Sequence, residues 1–263
     1  MLRSIAKFVL PPSIQDAIRN RLPGRRQSSG ASQEYLVIES GAKPSGMDGW
    51  QAEDVSERQI AAFAPVLNEM RAGRPRADFA AAAEAVRLTG LADPFVIEVG
   101  CGSGWNSEVL DTLLGRKVRY IGFDYSLSGL IVGKRVYPRM TFGVGDATAL
   151  PLADRCCDVL LSGTVLMHVF DYARAISESR RVARSWAIFH TVPVLQHRET
   201  TVLSKLAYGG KTIEIIFNEN HLRDLIAGCG MRIRHVLNSV AYDLQSVLSE
   251  STTTKTYVCE VTS

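Results

Sequence analysis

The chain reads as an α/β protein with a doubly wound, mostly parallel sheet, and three observations carry that expectation. Between residues 95 and 191 short apolar runs alternate with longer helical stretches, and strands joined in this way must be parallel with right-handed helical crossovers. One of those runs, Phe95-Val96-Ile97-Glu98-Val99, leads straight into Gly100-Cys101-Gly102-Ser103-Gly104-Trp105, a glycine turn that opens a helix. Finally, 263 residues with 46% hydrophobic and 22% charged suit one large α/β domain with an appendage, able to bury a substantial core.

The elements follow in order. Residues 1–22 alternate apolar positions (Leu2, Ile5, Phe8, Val9, Ile14, Ile18, Leu22) with basic ones, and Pro11-Pro12 divides them into two short amphipathic helices. Within residues 1–30, six basic residues stand against Asp16 alone, so peripheral contact with an anionic membrane face is one expectation; a helix packed on the domain or frayed is the other. Residues 23–50 form a Gly-, Ser- and Pro-rich linker with a short strand at 35–39. Residues 51–263 then make the main domain. Its first part, 54–90, is helical, one helix starting at Asp54 and an alanine-rich one running from Asp78 to Leu88.

Five strands follow, at 95–99, 118–124, 140–144, 158–162 and 186–191, with helices at 106–114, 127–136 and 172–183 between them. Residues 194–217 interrupt this rhythm. A helix at 218–227, opened by Asn218 and closed by Gly228 and Gly230, precedes two β-rich segments, 232–242 and 252–261. Residues 243–251 have no assignment.

Net charge is +3, and it is concentrated at the N-terminus, so the body carries no polyanion-binding signature and nucleic acid is not an expected partner. Five cysteines form no C-x-x-C pair and fit a reducing compartment, hence a cytoplasmic location, possession of a peripheral membrane contact aside. No run of about 18 apolar residues is present, so no transmembrane helix is expected.

A strand, a glycine turn and a helix start make a site for a nucleotide-like ligand, because glycines let backbone approach it and helix N–H groups attract anions. The dinucleotide fingerprint G-x-G-x-x-G fails in both registers: its third glycine falls on Trp105 or on Ser107. Glu98-x-Gly100-x-Gly102-x-Gly104 instead resembles the first motif of class I S-adenosylmethionine (AdoMet)-dependent methyltransferases. Three further segments support the resemblance. Tyr120-Ile121-Gly122-Phe123-Asp124 ends the second strand with an acid that can accept both ribose hydroxyls, or equally cap the next helix. Gly145-Asp146-Ala147-Thr148-Ala149-Leu150-Pro151 resembles the family's adenine-binding G-D-A-x-x-L-P segment. Cys157-Asp158-Val159-Leu160-Leu161-Ser162 resembles the fourth strand, with Cys157 where the family often has phenylalanine. One departure is Val182-Ala183-Arg184-Ser185-Trp186, which lacks the family's usual glycine-pair turn.

The resemblance implies a seven-stranded sheet with an antiparallel last strand, AdoMet as cofactor, and a small-molecule or saccharide (glycan) acceptor, with oxygen as the first expectation for the accepting atom and nitrogen and carbon left open. It assigns Glu98, Gly100, Cys101, Gly102, Gly104, Asp124, Tyr125, Asp146, Ala147, Ser162 and Gly163 to the cofactor. It makes 54–90 a lid, with Trp50, Arg58 and Phe63 as candidate lid contacts, and 194–217 an acceptor-side insert containing His197, Tyr208 and Glu214. His168, after the fourth strand, is the first candidate base, or else a structural bridge between loops; His190, at the end of the fifth, is the second. No acid pair follows the fourth strand, so no metal is expected. Two other classes remain open at this point, a nicotinamide-dependent oxidoreductase and a non-catalytic AdoMet-binding scaffold. The acceptor and the oligomeric state are not readable.

Overall fold

In the computed structural model, residues 35–38 and 46–262 are described; the two helices expected in residues 1–22, and any membrane contact they make, lie outside them. The chain order is β1 (Leu36–Ile38), α1 (Glu53–Arg71), α2 (Ala77–Arg87), β2 (Phe95–Val99), α3 (Trp105–Leu114), β3 (Arg119–Asp124), α4 (Leu127–Val136), β4 (Thr141–Val144) and β5 (Cys157–Gly163). It continues with α5 (Tyr172–Val182), β6 (Ala183–Leu195), β7 (Thr201–Ala207), β8 (Gly210–Asn218), α6 (Glu219–Gly228), β9 (Met231–Asn238), α7 (Gln245–Leu248) and β10 (Thr253–Val261). Two single-turn 3-10 helices, Gly49–Gln51 and Leu166–His168, sit at the ends of connections.

The central sheet runs β4-β3-β2-β5-β6-β10-β9, with β10 antiparallel to both its neighbours and the other strands parallel. That is the seven-stranded arrangement expected, antiparallel strand included. Its strands are apolar on both faces because helices cover both. Ile97, Leu160, Phe189 and Tyr257 face α5 and α6, packing with Ile176, Val182, Leu222 and Ile226. The alternate residues Val96, Val159, Leu161, Ile188 and Val258 face α2 and α3, packing with Ala83, Val86 and Leu110. Truncating a fully buried leucine such as Leu160 to alanine costs about 2–5 kcal/mol.

Helix boundaries have local causes. Ser126 and Asp171 cap α4 and α5 by accepting the N–H of Gly129 and of Arg174, both at 3.2 Å, and Asn218 caps α6 by accepting that of His221 at 3.1 Å. No glycine-pair turn separates α5 from β6, since Ala183 is both the residue after the helix and the first of the strand.

Residues 194–217 are not irregular. β6 runs on to Leu195, and Pro193 lies within it, opposite Thr254 of β10. On its other edge β6 leaves β5 after His190 and meets β8 only at Val194, so the proline sits where that ladder is already interrupted. β7 and β8 then form a hairpin closed by Tyr208-Gly209, whose φ angles of 51° and 85° are those of a type I′ turn. With β1 added antiparallel to β7, the hairpin extends the sheet beyond the carboxyl end of β6, which β8 joins in parallel at Val194 and Leu195. Among the described residues no helix is long and apolar enough to cross a membrane.

Candidate active site at the carboxyl edge of the sheet

The glycine loop leaves β2 with Gly100 in the left-handed region (φ +67°), and a Cβ there would lie 1.9 Å from Cγ2 of Val165, in the loop after β5. Only glycine therefore lets the two loops meet. Cys101 N–H donates to the Phe123 carbonyl at 3.1 Å, tying the loop to β3. Asp124, at the end of β3, completes the tie: one carboxylate oxygen accepts the Gly102 N–H and the other the Ser126 N–H, each at 2.8 Å. Asp124 is 7% exposed; burial raises its pKa, and these backbone donors oppose the rise. A carboxylate offers about four acceptor positions, so two remain for a pair of ligand hydroxyls. Beside it Tyr125 is 43% exposed, and burial together with Asp124, Asp48 and Asp146 pushes its phenol up to about 12. Asp146 is exposed, and one of its oxygens accepts both the N–H and the hydroxyl of Thr148 at 2.8 Å, while Ala147 is half-buried next to it. The glycine turn, Asp124 and Asp146 thus lie at successive strand ends. These groups fit an adenosyl ligand.

Four residues expected at the cofactor lie deeper. Glu98 is 1% exposed, and its oxygens are held by the Asn106 amide at 2.6 Å and by the Tyr120 hydroxyl. Burial pushes its pKa up to about 8, against the pull of those two donors, so the carboxyl is largely protonated at neutral pH. A Cβ on Gly163 would sit 2.0 Å from Glu98 Oε1, so this glycine makes room for the acid. Ser162 and Cys101 are buried, the Cys101 thiol lying against Gly122. All four are buried.

The two histidines diverge. His190 was expected at a strand end; because β6 continues to Leu195, it lies inside the strand and is 3% exposed. Both its ring nitrogens are engaged, Nδ1 with Thr256 Oγ1 at 2.8 Å and Nε2 with Thr191 Oγ1 at 3.0 Å, so it does not present a free nitrogen to the cleft. His168 is half-buried at the end of the 3-10 turn after β5, and its Nδ1 lies 2.7 Å from the Ile213 carbonyl. A carbonyl only accepts, so Nδ1 carries the proton and Nε2 the lone pair. Burial, with the Lys205 ammonium, pushes the imidazole down to about 4 against Glu214 and the Ile213 carbonyl, so it is neutral at pH 7. The backbone here is strained: Thr164 and Thr191, both β-branched, have φ of 61° and 56°.

Elements before β2 and after β6 close over these groups. The Trp50 ring lies 4.9 Å from the His168 ring and 6.1 Å from that of Tyr208, centroid to centroid. Ser126 and Ser128 donate to the Trp50 and Gln51 carbonyls at 2.7 and 2.9 Å, and Gly49 abuts the Gly210 backbone. From α1, Arg58 donates to the Tyr208 carbonyl, Phe63 stacks on Trp105 at 4.3 Å, and Gln59 approaches Gly102. Trp50 and Arg58 therefore meet at Tyr208 while Phe63 packs on the helix after the glycine loop, whereas His197 is exposed, its N–H donating to Glu250 at 2.8 Å.

Glu214 is buried in an ion pair with Lys205 and accepts from the Tyr242 hydroxyl, which lies 3.1 Å from that of Tyr35. Lys205, Tyr242, Ser126 and Ser128 carry no motif in the sequence that marks them. The hairpin was detectable there, since Gly209-Gly210 separates two alternating runs, but the pairing of Lys205 with Glu214 needs its register.

Comparison with known proteins agrees with the geometry. Residues 97–190 match the family model described as a methyltransferase domain. A probable S-adenosylmethionine-dependent methyltransferase of Mycolicibacterium smegmatis is 33% identical over 94 residues, 36% of this chain and 35% of that protein. A demethylmenaquinone methyltransferase of Renibacterium salmoninarum is 28% identical over 157 residues, 51% of this chain and 65% of that protein. The chain thus spans about a third to two thirds of the length of these relatives. Its fold resembles the Burkholderia thailandensis 1,6-didemethyltoxoflavin-N1-methyltransferase crystallised with 1,6-didemethyltoxoflavin and S-adenosylhomocysteine. That likeness has a TM-score of 0.57 at 13% identity and covers 90% of this chain and 99% of the other. Residues 97–190 accordingly match a methyltransferase domain, and the fold around them is the one seen in S-adenosylmethionine-dependent methyltransferases.

Proposed function

We propose that this chain is an AdoMet-dependent methyltransferase acting on a hydroxyl of a small-molecule or saccharide acceptor. The observation that carries the reading is the coupling of the glycine loop to Asp124 at adjoining strand ends, inside the matched segment. When bound, AdoMet supplies a methyl group already activated by its sulfonium charge.

The protein then has to bind, orient and exclude water. Asp124 holds the ribose hydroxyls with its remaining lone pairs, and the loop N–H groups at the start of α3 meet the amino-acid end. Asp146 and the Ala147 N–H take the adenine edge, with Tyr125 alongside. Glu98, Cys101, Ser162 and Gly163 fix the loop's shape. His168 accepts the acceptor's proton at Nε2. A base with a pKa of about 4 is weak, so it takes that proton only as the attacking oxygen loses electron density.

Residues 51–263 act as one domain in this reading, with 54–90 as its lid and 194–217 as its acceptor-side hairpin. Five free thiols suit the cytoplasm. The test incubates the purified chain with methyl-labelled AdoMet and an extract of small metabolites. S-Adenosylhomocysteine and a labelled product are expected. AdoMet binding without turnover on any fraction would favour the scaffold reading, and absence of AdoMet binding would overturn the proposal.

A further inference from the structure

We infer that Trp50, His168 and Tyr208 form the wall that receives the acceptor, and that this wall takes an uncharged, flat aromatic ring bearing a hydroxyl. The inference rests on the methyltransferase reading and narrows its acceptor class.

Two of the three rings come from outside the matched segment 97–190, so this wall belongs to the chain's own elaborations. The planes of His168 and Tyr208 are tilted 58° and 59° from that of Trp50, leaving a faceted surface instead of a flat stack. All three residues are half-buried. The indole N–H of Trp50 is buried and has no hydrogen-bond partner among the described residues. A buried donor without a partner is costly, and a ring cluster serving only to fill space would not retain one. Tyr208 likewise sits at a φ of 51°, strained for a tyrosine. That strain is sustained by the hairpin turn and by Arg58, which holds the Tyr208 carbonyl.

The wall is preorganised relative to the cofactor side. Trp50 hangs from Ser126 through its carbonyl at 2.7 Å, two residues beyond Asp124, and Gly49 is wedged against the hairpin at Gly210. The chemistry on offer is sparse: one donor, the Trp50 N–H, one acceptor, His168 Nε2, and the Tyr208 hydroxyl, set among aromatic surfaces. Nearby charges are already paired, Lys205 with Glu214, Arg58 with Asp54 and Arg76 with Asp78. A saccharide would bring many hydroxyls to a surface with three polar groups, leaving most unpaired. A carboxylate or phosphate would find no free cation among these. An aryl alcohol matches: its ring meets the rings, and its oxygen accepts from Trp50 and donates to His168.

The test is calorimetric titration of the full chain with 1-naphthol and with methyl α-glucoside, each with and without saturating S-adenosylhomocysteine. Saturable naphthol binding and no glucoside binding are expected. Trp50→Phe, which keeps a ring and removes only the donor, should weaken naphthol binding about tenfold. Tyr208→Leu should weaken it at least about tenfold, and S-adenosylhomocysteine affinity should stay within about twofold in both, showing that they fold. Absence of naphthol binding, glucoside binding of equal strength, or naphthol binding unchanged in both variants would overturn the inference. Loss of S-adenosylhomocysteine binding by the wild-type protein would instead strike the methyltransferase reading, since naphthol binding is also measured without it.

Discussion

Asp124 Oδ2 accepts the Gly102 N–H at 2.8 Å, joining the loop after β2 to the end of β3 through a single carboxylate. The same group accepts the Ser126 N–H with its other oxygen, so it sets the loop's position while keeping lone pairs for a ligand. In Asp124→Asn, one of those backbone donors faces an amide NH2. The variant should fold, by circular dichroism, and bind S-adenosylhomocysteine about ten- to a hundredfold more weakly, as loss of a charge-assisted hydrogen bond implies. Unchanged affinity would remove Asp124 from the cofactor site.

His168 gives a prediction about rate and pH. His168→Ala should leave S-adenosylhomocysteine affinity within about twofold and lower turnover about a hundredfold or more. With the imidazole held at about 4, its protonation should not reduce kcat/KM until the pH falls well below 6. A pH profile that drops with an apparent pKa near 6.5 would mean that the base is another group.

Glu98 makes stability depend on pH. Its folded pKa of about 8 lies above the ordinary carboxylate value of 4.5, so between those limits the folded state holds the proton more tightly than the unfolded state. Stability from this group is therefore full below pH 4.5 and declines as pH rises towards 8, by at most about 1.4 kcal/mol per pH unit. His168 and His190, both lowered from 6.5 to about 4, act oppositely but only below pH 6.5. Denaturant unfolding between pH 6.5 and 8 isolates Glu98 from them, and Glu98→Gln should flatten the slope there. An unchanged slope would show that Glu98 is ionised in the folded protein.

His190 is held by Thr256 and Thr191 inside the sheet, so its removal is a matter of stability. His190→Ala leaves two buried hydroxyls short of a partner and should destabilise the fold by about 1–3 kcal/mol. S-Adenosylhomocysteine affinity of the folded variant should be preserved, which the same calorimetry reads; a loss of affinity with stability intact would place His190 at the site.

These residues also show where sequence reasoning reaches. The strand–helix alternation, the loop from Glu98 to Gly104 and the acid ending β3 are local features, and the structure has them in the expected places. His190 differs: Pro193 reads locally as the end of a strand, whereas β6 runs through it where one edge has already lost its neighbour. Glu98 carries the family's motif letter, but its partners Asn106 and Tyr120 come from α3 and β3, and only the folded packing shows the carboxyl facing inward. Trp50, His168 and Tyr208 lie far apart in sequence, and a hairpin register and a backbone wedge at Gly49 bring them together. Nothing within a local window encodes that meeting.

The most direct measurement is isothermal titration of the purified chain with S-adenosylhomocysteine, NADH serving as the parallel ligand. Saturable binding of S-adenosylhomocysteine at one site per chain, weakened by Asp124→Asn, and no heat from NADH are expected. A folded protein that ignores S-adenosylhomocysteine, or that binds NADH in its place, would contradict the methyltransferase reading.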